Sequence, residues 1–275
     1  MQDLYIEVAG CRVRYRDSGS GKHPLLFIHG IGESLEFWMH QEPLAGDSYR
    51  IITLDLPGHG LSASGVQPYD PAKFAAFCWT FLDALDIDKV CVVGNSMGGG
   101  IAILMAENKP SRVEKLILAN AATLGRFSPL PFRLMTLPIL GEIMTRPSKL
   151  GVDQQLKSVF YNPDVVTKEL RTVVTRNVMD IARAQAFLAT LRQMTDLGGQ
   201  KISVAHTALS ALKKFRQPVL FLHGRQDTVI PFKHSVDAEQ LTQNTKLVIF
   251  ENCGHTPQFE HPGLFNDELT RFLNT

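Results

Sequence analysis

The 275 residues set 28 Lys and Arg against 27 Asp and Glu, a formal charge of +1, with 44% apolar and 20% charged positions. That composition excludes a disordered, collagen-like or coiled-coil chain, and the balance of charge offers no electrostatic footing for nucleic acid or an anionic membrane. No apolar run reaches the ~18 residues of a membrane span, MQDLYIEVAG shows no secretion signal, and the dispersed Cys11, Cys78, Cys91 and Cys253 read as free thiols of a cytoplasmic protein.

The chain opens on two short alternating runs, residues 4–8 and 12–17, with Gly10-Cys11 between them, a hairpin pattern. Residues 25–29 (LLFIH), 50–55 (RIITLD), 90–94 (VCVVG) and 113–119 are continuous apolar runs. Such runs mark strands buried on both faces, as in a parallel sheet. Between them, Phe74, Phe77, Cys78, Phe81, Leu82 and Leu85 recur at helical spacing after Pro71, and residues 97–108 continue directly from the third run. Alternating strands and helices predict a doubly wound α/β sheet.

The strand rhythm stops near Leu124. Residues 124–211 carry Pro129, Pro131, Pro138, Pro147 and Pro163, then helical stretches, with no clear buried strand. Strands resume at 218–224 (PVLFLHG) and 246–250 (KLVIF), and a helix over 264–273 closes the chain. The expectation is a core of residues 1–123 and 212–275 with a helical insertion at 124–211.

The strongest chemical signal is Gly94-Asn95-Ser96-Met97-Gly98, which fits G-x-S-x-G at the junction of a buried strand and a helix. A tight turn there lifts the Ser96 hydroxyl over the carboxyl edge of the sheet, and the helix N-terminus adds partial positive charge. The bland alternative is a glycine-rich connection with no chemistry. A serine hydroxyl needs a base. Of nine histidines, His255 follows the last strand, and Asp227 follows PVLFLH. Asp227 would orient His255, which would take the Ser96 proton. Asp227 could instead only hold a turn, and His255 could be structural. Asp55 is a rival acid, but LPGHG after it reads better as a tight loop; Asn120, after the fourth buried strand, is not an acid. The backbone N–H groups of Ile31 and Met97 are candidate oxyanion donors, with Gly30 and Gly32 letting the loop turn beneath a substrate. No metal-ligand spacing and no nucleotide motif stands out, so no cofactor is expected.

HGIG (29–32), DLPGHGLS (55–62), GNSMGG (94–99), HGRQDTVIP (223–231) and GHTPQFEHP (254–262) together resemble the α/β-hydrolase superfamily over nearly the whole chain. The resemblance implies that the 124–211 insertion is a helical cap. Within the superfamily the motifs look most like small carboxylesterases and meta-cleavage-product hydrolases. In the latter a Trp usually follows the catalytic His and a cap Arg binds a keto-acid; here Thr256 stands in the Trp place, and Arg171 and Arg176 lie near the cap position. Haloalkane dehalogenases and epoxide hydrolases of similar length use an Asp nucleophile, which Ser96 replaces. Cofactor-free perhydrolases share the triad but often carry Trp where Ile31 stands.

The expected activity is hydrolysis of a carboxylic ester through an acyl-enzyme. The alternatives are C–C cleavage of a diketone and a non-catalytic ligand sensor. Candidate substrate contacts are Gly30, Gly32, Asn95, Phe127, Arg171, Arg176 and Thr256. The apolar cap residues Phe127, Leu130, Phe132, Leu134, Met135, Leu137, Ile139 and Leu140 would line an acyl pocket or form the cap's own core. The partners expected are a small ester or diketone and water, for a monomer or homodimer without nucleic acid or a membrane span.

Overall fold

The apolar runs become the middle of one eight-stranded sheet in a computed structural model that describes residues 1–65 and 69–275. Strands β1 (Leu4–Val8) and β2 (Cys11–Asp17) form the antiparallel hairpin. Its turn is Ala9 (φ 49°) and Gly10 (φ 74°), one residue earlier than the Gly10-Cys11 pair expected. Two successive left-handed residues make the turn whose twist matches a hairpin, and Cys11 is released to begin β2 as a buried side chain.

In chain order follow β3 (His23–Ile28), β4 (Tyr49–Leu54), α1 (Pro71–Ala84), β5 (Val90–Asn95), α2 (Met97–Asn108) and β6 (Val113–Ala119). Next come α3 (Leu130–Met135), α4 (Leu140–Met144), α5 (Lys149–Val159), α6 (Lys168–Met179) and α7 (Ile181–Met194). A two-stranded ribbon, β7 (Thr195–Asp196) and β8 (Gly199–Gln200), leads into α8 (Ile202–Lys214). The sheet then resumes with β9 (Val219–Gly224), α9 (Lys233–Leu241) and β10 (Thr245–Phe250), and α10 (Pro257–Glu260) and α11 (Pro262–Leu273) end the chain. The sheet order is β1-β2-β4-β3-β5-β6-β9-β10, parallel from β4 to β10. Strand order reverses at β3, which pairs with both β4 and β5. In open α/β sheets the crevice for ligands lies at such a reversal, beyond the carboxyl ends of the strands.

Alternate residues of the central strands feed two separate cores. Leu26, Ile28, Val92, Leu116, Leu118 and Phe221 pack under α1, α2 and α8. Leu25, Phe27, Val93, Ile117, Leu220 and Leu222 pack with Trp38, Phe265 and Leu269. Both faces are covered, so neither can carry the polar half of an alternating pattern. Helix starts are written locally. Asp70 accepts from Lys73 N ahead of α1, and Ser148, Thr167 and Asp180 do the same for α5, α6 and α7. Each such cap satisfies an N–H that the helix itself cannot and is worth about 1 kcal/mol.

Of the helices between β6 and β9, α5 and α6 share a smaller core, while α7 and α8 add Ala186, Met194, Ala208, Ala211 and Leu212 to the main one. Val152, Leu156, Val159, Phe160, Leu170 and Val174 from α5, α6 and their flanks meet Phe37 and Phe259. This corrects the expectation for the apolar stretch near α3 and α4. Phe127 is 46% exposed, Leu130 61% and Ile139 75%. Their side chains lie largely in solvent and are not part of that core. Phe132 alone among the named aromatic residues turns inward, its ring edge-on to Phe187. Ile139 also sits at φ 67°, an unusual conformation for a β-branched residue, at the start of α4. All four cysteines are buried and free, and no helix among the described residues is long and apolar enough to cross a membrane.

Candidate active site

Ser96 occupies the one-residue turn between β5 and α2 with φ 54° and ψ −120°. That conformation is strained for a residue with a Cβ. The turn is held by backbone bonds: Ser96 N donates to Ala119 O at 3.0 Å, and Gly99 and Ala122 donate to Ser96 O. Glycine at both flanks is a steric requirement. A Cβ on Gly94 would fall 2.2 Å from Gly98 O, and one on Gly98 would fall 2.1 Å from Ile28 O. The spacing G-x-S-x-G is therefore the footprint of two backbone crossings. Asn95 uses its Nδ2 to reach Ala119 O and His255 O, at 3.2 and 3.1 Å. It ties the elbow to the His255 loop and is fully buried.

Asp227 lies in the loop after β9, and His255 in the loop after β10. His255 Nδ1 donates to Asp227 Oδ2 at 2.7 Å. The remaining lone pairs of the carboxylate are filled. Oδ1 accepts from the N–H groups of Val229 and Ile230, and Oδ2 accepts from Asn120 Nδ2 at 2.6 Å. His223 Nε2 stands 3.2 Å from the same oxygen. Burial alone would push the Asp227 carboxyl up, but His255 and His223 outweigh it and hold the group well below the usual carboxylate range. Burial likewise would lower His255, and the Asp227 charge reverses that, leaving the imidazole above its ordinary value. With Nδ1–H committed to Asp227, Nε2 is left as the acceptor. Among the described residues Ser96 Oγ makes no protein hydrogen bond, so the serine hydroxyl is uncommitted.

Sequence reasoning passed over Asn120 because it is not an acid. In the structure it is the bracket for one. Its backbone takes φ 45°, its Nδ2 serves both Asp227 and Gly254 O, and its Oδ1 accepts from Gly224 N. The signal was there in part: a polar residue ending a buried strand, level with the loops that carry Asp227 and His255.

The loop after β3 supplies the other wall. Among the described residues the N–H groups of Ile31 and Met97 have no protein acceptor. His29 Nδ1–H donates to Gly30 O at 2.7 Å and its Nε2 accepts from Leu56 N, so it pins this loop to the one after β4. Burial lowers His29 to about 4, which keeps it neutral in that role. Asp55 is also a brace. It accepts from Leu35 N, Leu61 N and the Arg14 guanidinium, with no contact to His255 among its hydrogen bonds. Gly32 has φ 74°, and its outer side is covered by the Phe187 ring and by Gln155 Nε2, which donates to Gly32 O.

The remaining predicted contacts divide. Thr256 is buried, and its hydroxyl donates to Val159 O, while His255 N donates to the same oxygen. These bonds attach the His255 loop to the end of α5. Arg176 reaches from α6 to Glu36 and Ser34 at 3.0–3.3 Å, joined by Asn177 Nδ2 on Ser34 Oγ. It is engaged as a tie between α6 and the β3 loop. Arg171 is brought to no part of this group: it is exposed and paired with the exposed Asp153. Phe127 presents its side chain to solvent. For Arg171 the reason is helix phase, since α6 turns Leu170 and Val174 into the core and so Arg171 outward. Among the described residues no cluster of three His, Cys, Asp or Glu is placed to hold a metal.

An α/β-hydrolase fold family model matches residues 23–262, and the chain belongs to that family. It is 30% identical over 267 residues to a 2-hydroxy-6-oxononadienedioate/2-hydroxy-6-oxononatrienedioate hydrolase of Paraburkholderia phymatum, covering 95% of this chain and 91% of that one. Among solved structures, a meta-cleavage product hydrolase from Pseudomonas fluorescens superposes with a TM-score of 0.81 at 26% identity, covering 98% and 97% of the two chains. A bacterial membrane phospholipase A superposes with a TM-score of 0.79 at 27% identity, covering 99% of this chain and 86% of its own.

Proposed function

We propose that this hydrolase-fold chain cleaves carboxylic esters through an acyl-enzyme, with residues 124–211 as a cap over the site. The observation that carries the reading is the buried His255 Nδ1–Asp227 Oδ2 bond of 2.7 Å beside a serine on a strained strand-to-helix turn. His255 Nε2 takes the Ser96 proton as Oγ bonds to the ester carbonyl carbon. The carbonyl oxygen becomes an oxyanion held by the Ile31 and Met97 N–H groups. Collapse breaks the bond to the alcohol oxygen, which leaves with the proton from His255. Water then repeats the sequence on the acyl-serine, His255 removing its proton, and the acid and free Ser96 are regenerated. Such a Ser–His contact tightens as substrate binds.

Cleavage of a C–C bond in a vinylogous diketone is the second reading, favoured by the activity for which two of the similar proteins are named. Against it, Arg176 is already engaged by Glu36 and Ser34, Arg171 by Asp153, and Thr256 by Val159 O. Neither of these two cap guanidinium groups is left free for a keto-acid.

p-Nitrophenyl esters of graded acyl length, run beside a dienone diketone followed by its ultraviolet loss, separate the two. Ester turnover with an initial burst is expected. Diketone turnover with inert esters would transfer the assignment to C–C cleavage. Asp227→Asn tests the acid: an amide at this position favours the wrong His255 tautomer, and turnover should fall by about 10⁴-fold with the fold retained. A loss below ten-fold would remove Asp227 from the mechanism.

A further inference from the structure

One buried ionisable group beside Ser96 has no part in that reaction. Glu33 follows the Gly30–Gly32 loop and is 2% exposed. Its Oε2 accepts the Gly30 N–H at 2.8 Å. The point where a Cβ on Gly30 would stand lies 2.8 Å from Glu33 Oε2 and 3.2 Å from Ser96 Cβ. Gly30 is therefore the spacer between the carboxyl and the elbow: a side chain there would displace the carboxyl and press on Ser96. Among the described residues Oε1 has no hydrogen-bond donor. A carboxyl with one protein donor, set almost wholly below the surface, thus stands at the wall of the site.

We propose that Glu33 is a positioning residue for the Ser96–His255 chemistry, holding the oxyanion loop through Gly30 N–H and acting by its charge on the His255 imidazole. This rests on the serine-hydrolase reading and adds to it the group that sets its pH response.

The charges around His255 come from three elements. Asp227 meets Nδ1 from the loop after β9, with His223 of β9 on the same oxygen; Glu33, after the β3 loop, and Glu260, in α10, add their negative charge to the field that raises the imidazole. They differ in how firmly they hold their charge. Asp227 has every lone pair filled and stays ionised. Glu260 accepts N–H bonds from Gly254, Tyr161 and Asn162, which offset only part of the rise that burial gives its carboxyl. Glu33 has one such bond, and burial pushes it up to about 7, partly offset by His255 and the Gly30 N–H. It thus changes charge in the range where the imidazole itself matters. Ionised, it steadies the imidazolium that forms as Ser96 attacks; protonated, it withdraws that support. The two groups titrate as a pair.

Removing the charge lowers the His255 pKa. In Glu33→Gln the acid limb of the pH–rate profile should move about one pH unit down. The profile can be read from ester turnover or from the rate of fluorophosphonate labelling of Ser96. Glu33→Asp keeps a carboxyl and should retain the wild-type limb more closely than the Gln variant does. A Gln profile that superimposes on the wild type would overturn the proposal. The His255 ring can also be followed by NMR in the wild-type protein, which needs neither turnover nor a folded variant. Two inflections are expected, one from its own proton and one from Glu33. A single isolated-site curve would overturn the proposal even if esters are hydrolysed. Two inflections in a protein that turns over no ester would leave Glu33 coupled and discard the esterase reading alone.

Discussion

Ser96→Ala should lower kcat for ester hydrolysis by about 10⁶-fold, the scale seen when a triad nucleophile is removed. The fold should survive. Alanine keeps the Cβ, so it meets the same strain at φ 54° that serine already bears, and the backbone bonds to Ala119, Gly99 and Ala122 do not involve the hydroxyl. Because Ser96 Oγ makes no protein hydrogen bond among the described residues, its removal leaves no partner unsatisfied. Thermal unfolding should therefore match the wild type while turnover disappears. A variant within ten-fold of wild-type activity would show that the nucleophile is elsewhere.

Arg14→Met should destabilise the fold by about 3–5 kcal/mol, far more than any of the active-site substitutions. Arg14 rises from β2 almost fully buried and meets three carboxylates: Asp3 at 2.8 Å, Glu36 at 2.8 Å and Asp55 at 3.2 Å. Glu36 would keep Arg176, but Asp55, with 0% exposure, would lose its cation. Burial, together with Glu36, already raises Asp55 to about 6 against the pull of Arg14. Without Arg14 its folded pKa rises further. A raised carboxyl pKa contributes stability below the unfolded value and loses it as pH climbs through the folded value. The deficit of the variant should thus be larger at pH 8 than at pH 5. Urea unfolding at the two pH values checks this; a loss below 1 kcal/mol, equal at both, would contradict it. The consequence reaches the candidate site, since Asp55 and Glu36 hold the segment that follows the Gly30–Gly32 loop.

What could be read from the chain depended on the range of the forces involved. The central strands were legible because burial on both faces writes a continuous apolar run, and the observed ends of β3, β4, β5, β6, β9 and β10 fall within two residues of those runs. The elbow was legible because its sterics act between residues two apart. Asn120 and Glu33 were not. The Asn120–Asp227 bond spans 107 residues, and Glu33 gains meaning only where Gly30 meets Ser96. Neither has a local pattern. The Arg176–Glu36 pair, 140 residues apart, ties helix to loop and was hidden from the sequence for the same reason. The apolar stretch around α3 and α4 misled through composition alone: hydrophobicity predicts burial only when an element has something to pack against, and Leu130 and Ile139 do not.

Everything proposed for the chemistry depends on Ser96 being a nucleophile activated by the Asp227–His255 pair. The most direct test is mass spectrometry of the protein after exposure to a fluorophosphonate ester. One adduct is expected, on the peptide carrying Ser96, abolished in Ser96→Ala and slowed severely in Asp227→Asn. An unlabelled wild-type protein, or an adduct on any other residue, would contradict it.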